Sequence, residues 1–305
     1  MKNIVLTGPT GAIGTAMIRQ CIQEGIEVYA VCRKKSERIL NIPQDPLVHI
    51  LECNLDELEF LEETGCSTCD AFYHLGWNGT IGDCRNDMNL QMQNVRYTLD
   101  AVRLAERLGC KVFVGAGSQA EYGRYEGKLD GTVPAFPENG YGIAKLCAGQ
   151  MSRLECRRVG INHIWARILS VYGPYDGEKT MIISLIKKLL YGEKPALTRG
   201  EQSWDYLYSA DAARAMLLLG KKGINGKTYC IGSGRAVPLL DYIYMIRDAI
   251  DPGAELGIGE VPYGEKQVMN LCADISELTE DTGFFPEISF EEGIRKTIDW
   301  VKERE

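Results

Sequence analysis

The sequence predicts an α/β fold, a doubly wound parallel sheet with a smaller, mostly helical C-terminal lobe. Three observations carry this. Strand-like and helix-like segments alternate through the first half of the 305-residue chain with short connections. The strand-like runs are continuously apolar instead of alternating, the pattern of strands covered on both faces. A glycine-rich turn joins the first strand to the first helix.

Taken in order, "NIVLTG" (3–8) is a β-rich run stopped by glycine, and "AIGTAMIRQCIQEG" (12–25) has helical periodicity with a glycine stop. "EVYAVC" (27–32), "LVHILEC" (47–53) and "DAFYHLG" (70–76) are the next strands. A long helix is expected over 87–108 and a fifth strand at "KVFVGAG" (111–117). The turn signal "PENG" (137–140) opens another helix, and "NHIWARIL" (162–169) is a sixth strand. Beyond "VYGPYDG" (171–177) the pattern loosens: helices are expected over 181–191 and 209–220, a last strand of the sheet over 227–232, then short helices and turns. The sheet domain is therefore placed at 1–172, rejoined by 205–235, with 173–204 and 236–305 forming a substrate-binding lobe.

Composition narrows the function classes. Hydrophobic residues make up 45% and charged residues 25%, as in ordinary globular proteins. A net charge of −8 without a basic run offers nothing to nucleic acid. No apolar stretch approaches the roughly 20 residues of a membrane span, and the first residues enter a strand without a signal-peptide h-region. The 11 cysteines sit mostly in apolar segments such as "VYAVC", the usage of reduced core thiols, so a cytoplasmic location is expected. Cys66 and Cys69 have metal-ligand spacing, but a zinc site needs about four ligands and no second pair completes it; no metal is expected.

"TGPTGAIG" places Gly8, Gly11 and Gly14 between the first strand and helix. Gly8 permits a tight turn, Gly11 admits a pyrophosphate to the backbone, and Gly14 lets helix and strand pack closely. The helix N-terminus adds oriented N–H groups, so the segment reads as a Rossmann-type dinucleotide site. At the end of the second strand an acid would accept from a ribose 2′-OH, whereas arginine suits a 2′-phosphate. The chain has "VCRKKSER", with Cys32 followed by Arg33 and Lys34, which favours NADP and leaves NAD possible.

"ENGYGIAKL" (138–146) puts Tyr141 and Lys145 on one helical face. Two readings are open: a solvated surface pair, or a lysine that lowers the phenol's pKa from about 10 to make it a proton-transfer group.

The segments "TGPTGAIG", "FYHLGW", "FVGAGSQAEYG", "YGIAK", "RILSVYGPYDG", "GEQSWDYLYSADAARA" and "YCIGSG", in that order, resemble an extended short-chain dehydrogenase/reductase. The similarity covers essentially the whole chain and is to the nucleotide-sugar epimerase, dehydratase and ketoreductase type. It implies that Tyr141 and Lys145 are the family's Tyr-x-x-x-Lys pair and Ser118 its catalytic serine. Cofactor contacts implied are Gly8, Gly11, Ile13, Gly14, Arg33, Lys34, Asn54, Leu55, Leu75 and Gly76, with Tyr141 and Lys145; Asn94 is implied to be structural. Tyr141 would pass the hydroxyl proton while hydride moves, Lys145 would stabilise tyrosinate, and Ser118 would orient the same oxygen.

The pattern departs from the family in places. Gln119 and Ala120 stand where 4,6-dehydratases carry an Asp-Glu acid–base pair, and Glu121 would point elsewhere along an extended segment. The expected reaction is NADPH-dependent reduction of a nucleotide 4-keto-6-deoxy sugar, with a 4-epimerase recycling bound NAD as the alternative and a non-catalytic NADP-sensing regulator as a third reading. Ser170 replaces the usual asparagine before "VYGP", and Trp204 replaces a diphosphate-binding arginine. Lys179 and Arg199 are candidates for the missing charge, and Trp77 and Ser118 for the sugar pocket. A homodimer is implied, with the 87–108 helix and the Tyr141 helix as contact surfaces.

Overall fold

Seven parallel strands form the central sheet of this computed structural model, which describes residues 1–61, 65 and 68–304. They are β1 (Asn3–Thr7), β2 (Glu27–Cys32), β3 (Val48–Glu52), β4 (Ala71–His74), β5 (Val112–Ser118), β6 (Asn162–Ile168) and β7 (Thr228–Ile231). Their spatial order is β3-β2-β1-β4-β5-β6-β7. The chain thus runs outward from β1, then returns to lay β4 against β1's other edge. That reversal opens a crevice at the strands' carboxyl ends, the position where doubly wound sheets bind ligands.

The helices are α1 (Ala12–Glu24), α2 (Met88–Arg107), α3 (Gly140–Val159), α4 (Met181–Leu190), α5 (Ser209–Lys222), α6 (Leu239–Ile250), α7 (Ser276–Thr282) and α8 (Phe290–Lys302). Alternation along β1 explains the layering: Ile4 and Leu6 pack on the α1 and α5 side, Val5 on the side of α2 and α3. The expected full burial fails at β3. It is the sheet's edge strand, and Ile50 is 45% exposed; an apolar run shows propensity but not its place in the sheet.

A third core joins α4, α6 and α8, with Ile182, Ile186, Ile243, Ile246, Ile294 and Ile298 against Tyr172 and Tyr208. Short pairings missed by the sequence reading stitch this part to the sheet. Ser170–Tyr172 pairs with Tyr206–Tyr208, and Ser203–Trp204 lies between Val237–Pro238 and Asn270–Leu271. Strands of two or three residues leave no periodicity to read.

No helix among the described residues is long and apolar enough to cross a membrane. Cys66 lies outside the described residues, and among the described residues no cluster of three or more His, Cys, Asp or Glu could hold a metal ion.

Asp205, just after the Ser203–Trp204 strand, is fully buried. Its carboxylate accepts from Ser233 N (2.8 Å), Ser233 Oγ (2.6 Å), Gly234 N (3.1 Å) and Ala273 N (3.0 Å). Asp205→Ala strands these donors, and a loss of about 3 kcal/mol or more is expected in urea unfolding; a loss below about 1 kcal/mol would show that the donors find water instead.

Candidate active site

The crevice between β1 and β4 is shaped by a buried hydrogen-bond chain. The Thr7 hydroxyl accepts from Gly76 N (3.0 Å) and donates to His74 Nδ1 (2.9 Å), the nitrogen left unprotonated when the neutral ring carries its hydrogen on Nε2. The Thr98 hydroxyl donates to Asn94 O (2.9 Å), so it accepts from His74 Nε2 (3.3 Å). Burial, helped by the Lys145 charge, lowers the His74 pKa to about 3, so the ring stays neutral and the chain keeps one polarity. Asn94 then grips the next turn, accepting from Asn78 N (2.9 Å) and donating to Asn78 O (2.9 Å).

The glycine loop faces this chain. Gly8 has φ +71°, and a Cβ there would lie 2.9 Å from Leu75 C and Gly76 N. At Gly14 a Cβ would sit 2.3 Å from Gly8 O, so the helix can approach the loop only without one. A Cβ on Gly11 would meet nothing within 4 Å, and α1 has no side-chain cap. Free first-turn N–H groups therefore face open space, which fits a pyrophosphate.

A cleft of about 620 Å³ runs from this loop, lined by Gly8, Gly11, Arg33, Asn54, Leu55, Leu75, Gly76 and Trp77 among the expected residues. Gly14 lies beneath the loop, and Ile13 packs toward the core. Lys34 does not line the cleft: its ammonium pairs with Glu57 (2.8 Å), while its N–H donates to the Asn54 side-chain oxygen (3.2 Å). The charge at this end comes instead from Arg33, which reaches Asn78 Oδ1 (3.3 Å), and from Arg38, which donates to Thr10 O (3.1 Å). Arg38 was missed because it sits on a short 3₁₀ turn, Glu37–Asn41, whose approach to the glycine loop is not a local property. Burial, helped by the neighbouring Glu52 charge, pushes the Cys32 thiol up to about 12, and it donates to Ala30 O, so the residue ending β2 is itself neutral; Asp56 is the carboxylate that lines the cleft.

At the neighbouring strand end stand Ser118, the last residue of β5, and α3, whose N-cap Asn139 accepts from Gly142 N (2.8 Å). That cap puts Tyr141 in the first helical turn and Lys145 one turn later. Tyr141 is 9% and Lys145 4% exposed, which removes the solvated-pair reading. Lys145 Nζ donates to Ala116 O (2.7 Å) and lies 3.8 Å from the centroid of the Trp77 ring. Burial lowers its pKa to about 7, against the pull of Glu121. Burial raises the Tyr141 phenol above its ordinary value; the Ser118 hydroxyl and the Arg85 guanidinium oppose this, and Glu121 adds to it. Arg85 Cζ is 4.5 Å from the Tyr141 ring centroid, nearer than Lys145 Nζ at 5.8 Å. The sequence carried no signal for Arg85, a single cation in a polar loop.

Residues 119–121 form a 3₁₀ turn, not an extended segment, and the Glu121 carboxylate folds back onto the end of β5 beneath Ser118. It is fully buried and accepts from Ser118 N (2.8 Å), Trp165 Nε1 (3.0 Å) and Arg167 Nε (2.8 Å). Trp77 stands edge-on to Tyr141 at 6.0 Å and donates to Gln91 Oε1 (2.9 Å). Ser170 and Trp204 meet each other, Trp204 Nε1 donating to Ser170 Oγ (2.9 Å), while Lys179 and Arg199 are exposed. A second cleft of about 800 Å³, lined in part by Arg124, Phe136, Glu138, Gln267 and Met269, lies beside the entry to α3; Arg124 there is held by Glu138 at 2.7 and 2.9 Å.

Residues 4–232 match the model of the NAD dependent epimerase/dehydratase family. The chain is 26% identical over 302 residues to CDP-abequose synthase of Salmonella muenchen, covering 97% of each chain. Its fold matches UDP-N-acetylglucosamine 4-epimerase from Methanobrevibacter ruminantium M1 with a TM-score of 0.89 at 22% identity, covering 100% of this chain and 99% of the other. It also matches UDP-glucuronic acid 4-epimerase from Bacillus cereus, a structure in complex with NAD, with a TM-score of 0.85 at 19% identity and 99% of both chains covered.

The buried ammonium has a measurable signature. Between about 7 and the ordinary 10.5 of lysine, the unfolded chain holds the Lys145 proton and the folded chain does not, so stability rises with pH across that window. Urea unfolding without dinucleotide should show the difference, wild type minus Lys145→Met, increasing from about pH 7 to 10. A flat or falling difference would contradict a desolvated Lys145.

Proposed function

This chain belongs to the NAD-dependent epimerase/dehydratase family, and from that premise we propose that it reduces the 4-keto group of a nucleotide-activated 6-deoxy sugar with NADPH. The observation that carries the reading is the cleft's ribose end, where Arg33 and Arg38 stand beside a protonated Cys32 thiol in place of a carboxylate. Two guanidinium groups suit a 2′-phosphate, and a reductase must exchange its cofactor. A nucleotide sugar is supported by the relatives, whose names specify CDP- and UDP-linked sugars. The family is one of enzymes, which sets aside the NADP-sensing regulator. Gln119 and Ala120 offer no acid–base pair for elimination of water.

When bound, the dinucleotide supplies the hydride. The residues of the chain do the rest. α1 and the glycine loop would hold the pyrophosphate, and Lys145 would hold the adjoining ribose. The buried phenol of Tyr141 is protonated at neutral pH and donates to the sugar oxygen as the C4 carbonyl becomes a hydroxyl; the tyrosinate left behind is re-protonated from solvent. Ser118 orients that oxygen, and Glu121 fixes Ser118 through its backbone N–H (2.8 Å). A 4-epimerase with retained NAD is the second reading, favoured by the solved structures of 4-epimerases that share the fold.

We also propose a homodimer. Ile143, Cys147, Met151 and Leu154 form an exposed stripe along α3, and Met88 and Met92 continue it on the adjoining α2. Such a patch across two packed helices suits a second copy of the same face.

Two experiments test these readings. Incubated with a 4-keto-6-deoxy nucleotide sugar, the protein should consume NADPH in step with product, and Tyr141→Phe should lower turnover at least ~100-fold with NADPH binding retained. Sugar conversion without NADPH loss would make it an epimerase, and unchanged turnover in the variant would remove Tyr141 from the chemistry. In sedimentation, the wild type should run as a dimer and Met92→Glu/Leu154→Glu as a monomer; a monomeric wild type would refute the interface.

A further inference from the structure

A small polar chamber, about 50 Å³, lies between α3 and the last two strands of the sheet, β6 and β7. The alternation of β6 sends His163, Trp165 and Arg167 to one face, where Arg153 of α3 and Glu121 complete the lining. Gly149 lets the helix close over it: a Cβ there would lie 2.7 Å from the Trp165 ring.

The side-chain acceptors of this chamber are taken. The two Glu121 oxygens accept from Ser118 N (2.8 Å), Trp165 Nε1 (3.0 and 3.2 Å) and Arg167 Nε (2.8 Å). Gln150 Oε1 accepts from Arg153 Nη2 (2.8 Å). The donors are not used up. Among the described residues, the buried atoms Arg153 Nε, Arg167 Nη1 and His163 Nδ1 have no hydrogen-bond partner. Ser152 Oγ lies 2.9 Å from His163 Nε2 and 3.3 Å from Gly149 O. Giving its proton to the nearer of the two leaves the imidazole hydrogen on Nδ1, a third donor without an acceptor. Unmet donors are costly in a protein interior, and most of all on a charged group.

We propose that this chamber binds a single small monovalent anion of halide size, held between Arg153 and Arg167. Charge points the same way as the donors. Two guanidinium groups against one carboxylate leave the lining with one positive charge, and among the described residues no carboxylate pairs with Arg153. Burial and the Arg153 charge bring the His163 pKa down to about 4, so the ring stays neutral. Arg167 is 5% exposed, so water does little to screen it. A divalent phosphate would set an uncompensated negative charge beside Glu121. A water would have two hydrogens of its own to place where the side-chain acceptors are occupied. Arg153 is half-buried, and Gln150 and Gly226 are exposed, which gives the ion a path to solvent. The inference stands apart from the functional reading, since no dinucleotide or sugar takes part in it.

Two measurements test the site. Crystals soaked in sodium bromide, with data collected at the bromine absorption edge, should show an anomalous peak between Arg153 and Arg167. In solution, replacing gluconate by chloride at fixed sodium concentration should raise the thermal unfolding midpoint of the wild type by at least ~2 °C more than that of Arg153→Met. The wild-type response should saturate as chloride rises, and Arg153→Gln should lose it as Arg153→Met does. The crystal experiment uses the wild type alone and stands even if neither variant folds. A chamber without an anomalous peak overturns the proposal, and so do variants that respond to chloride as the wild type does. A bromide peak with no saturable chloride response means binding at crystal concentration only, which overturns it too.

Discussion

The structure depends on keeping a phenol and an ammonium out of water within one turn of the same helix. Neither Tyr141 nor Lys145 would stay buried without compensation, because desolvation penalises the charged form of each. The compensation is specific. Lys145 finds a carbonyl and an aromatic face, and Tyr141 finds a hydroxyl and a guanidinium. The result is a lysine only partly charged at pH 7, unlike a lysine on the surface, and a tyrosine that holds its proton to higher pH than a surface phenol would.

The sheet supplies the rigidity for this arrangement. β1, β4 and β5 end side by side, so the glycine loop, the Leu75-Gly76 step and Ser118 converge without any long connection. The neutral His74 chain ties β1 to β4 and to α2, and Asn94 and Gln91 carry that order into the loop that positions Trp77 and Arg85. A change at Gln91 therefore acts on both cations at once, although it touches neither.

Much of this was legible in the sequence because it is local. The boundaries of α1 and α2 follow from periodicity with a glycine stop and an aspartate start, and the glycine loop and Tyr141/Lys145 are spacing signals. What escaped is non-local. β3's half-exposed face reflects its place at the sheet edge, and the paired two-residue strands around Trp204 depend on partners dozens of residues away. Lys34 was grouped with Arg33 by adjacency, yet successive residues leave a strand in different directions and Glu57 draws its ammonium off. Arg85 and Arg38 belong to short 3₁₀ turns with no pattern of their own.

The central claim is that hydride passes directly between the dinucleotide in the β1–β4 crevice and the sugar carbon whose oxygen Tyr141 protonates. Its most direct measurement is isotope transfer: turnover of a 4-keto nucleotide sugar with NADPH carrying deuterium at both hydrogen positions of the nicotinamide C4, followed by mass and NMR analysis of the sugar. The account predicts one deuterium on C4 of the product. Turnover that leaves C4 free of deuterium would contradict it.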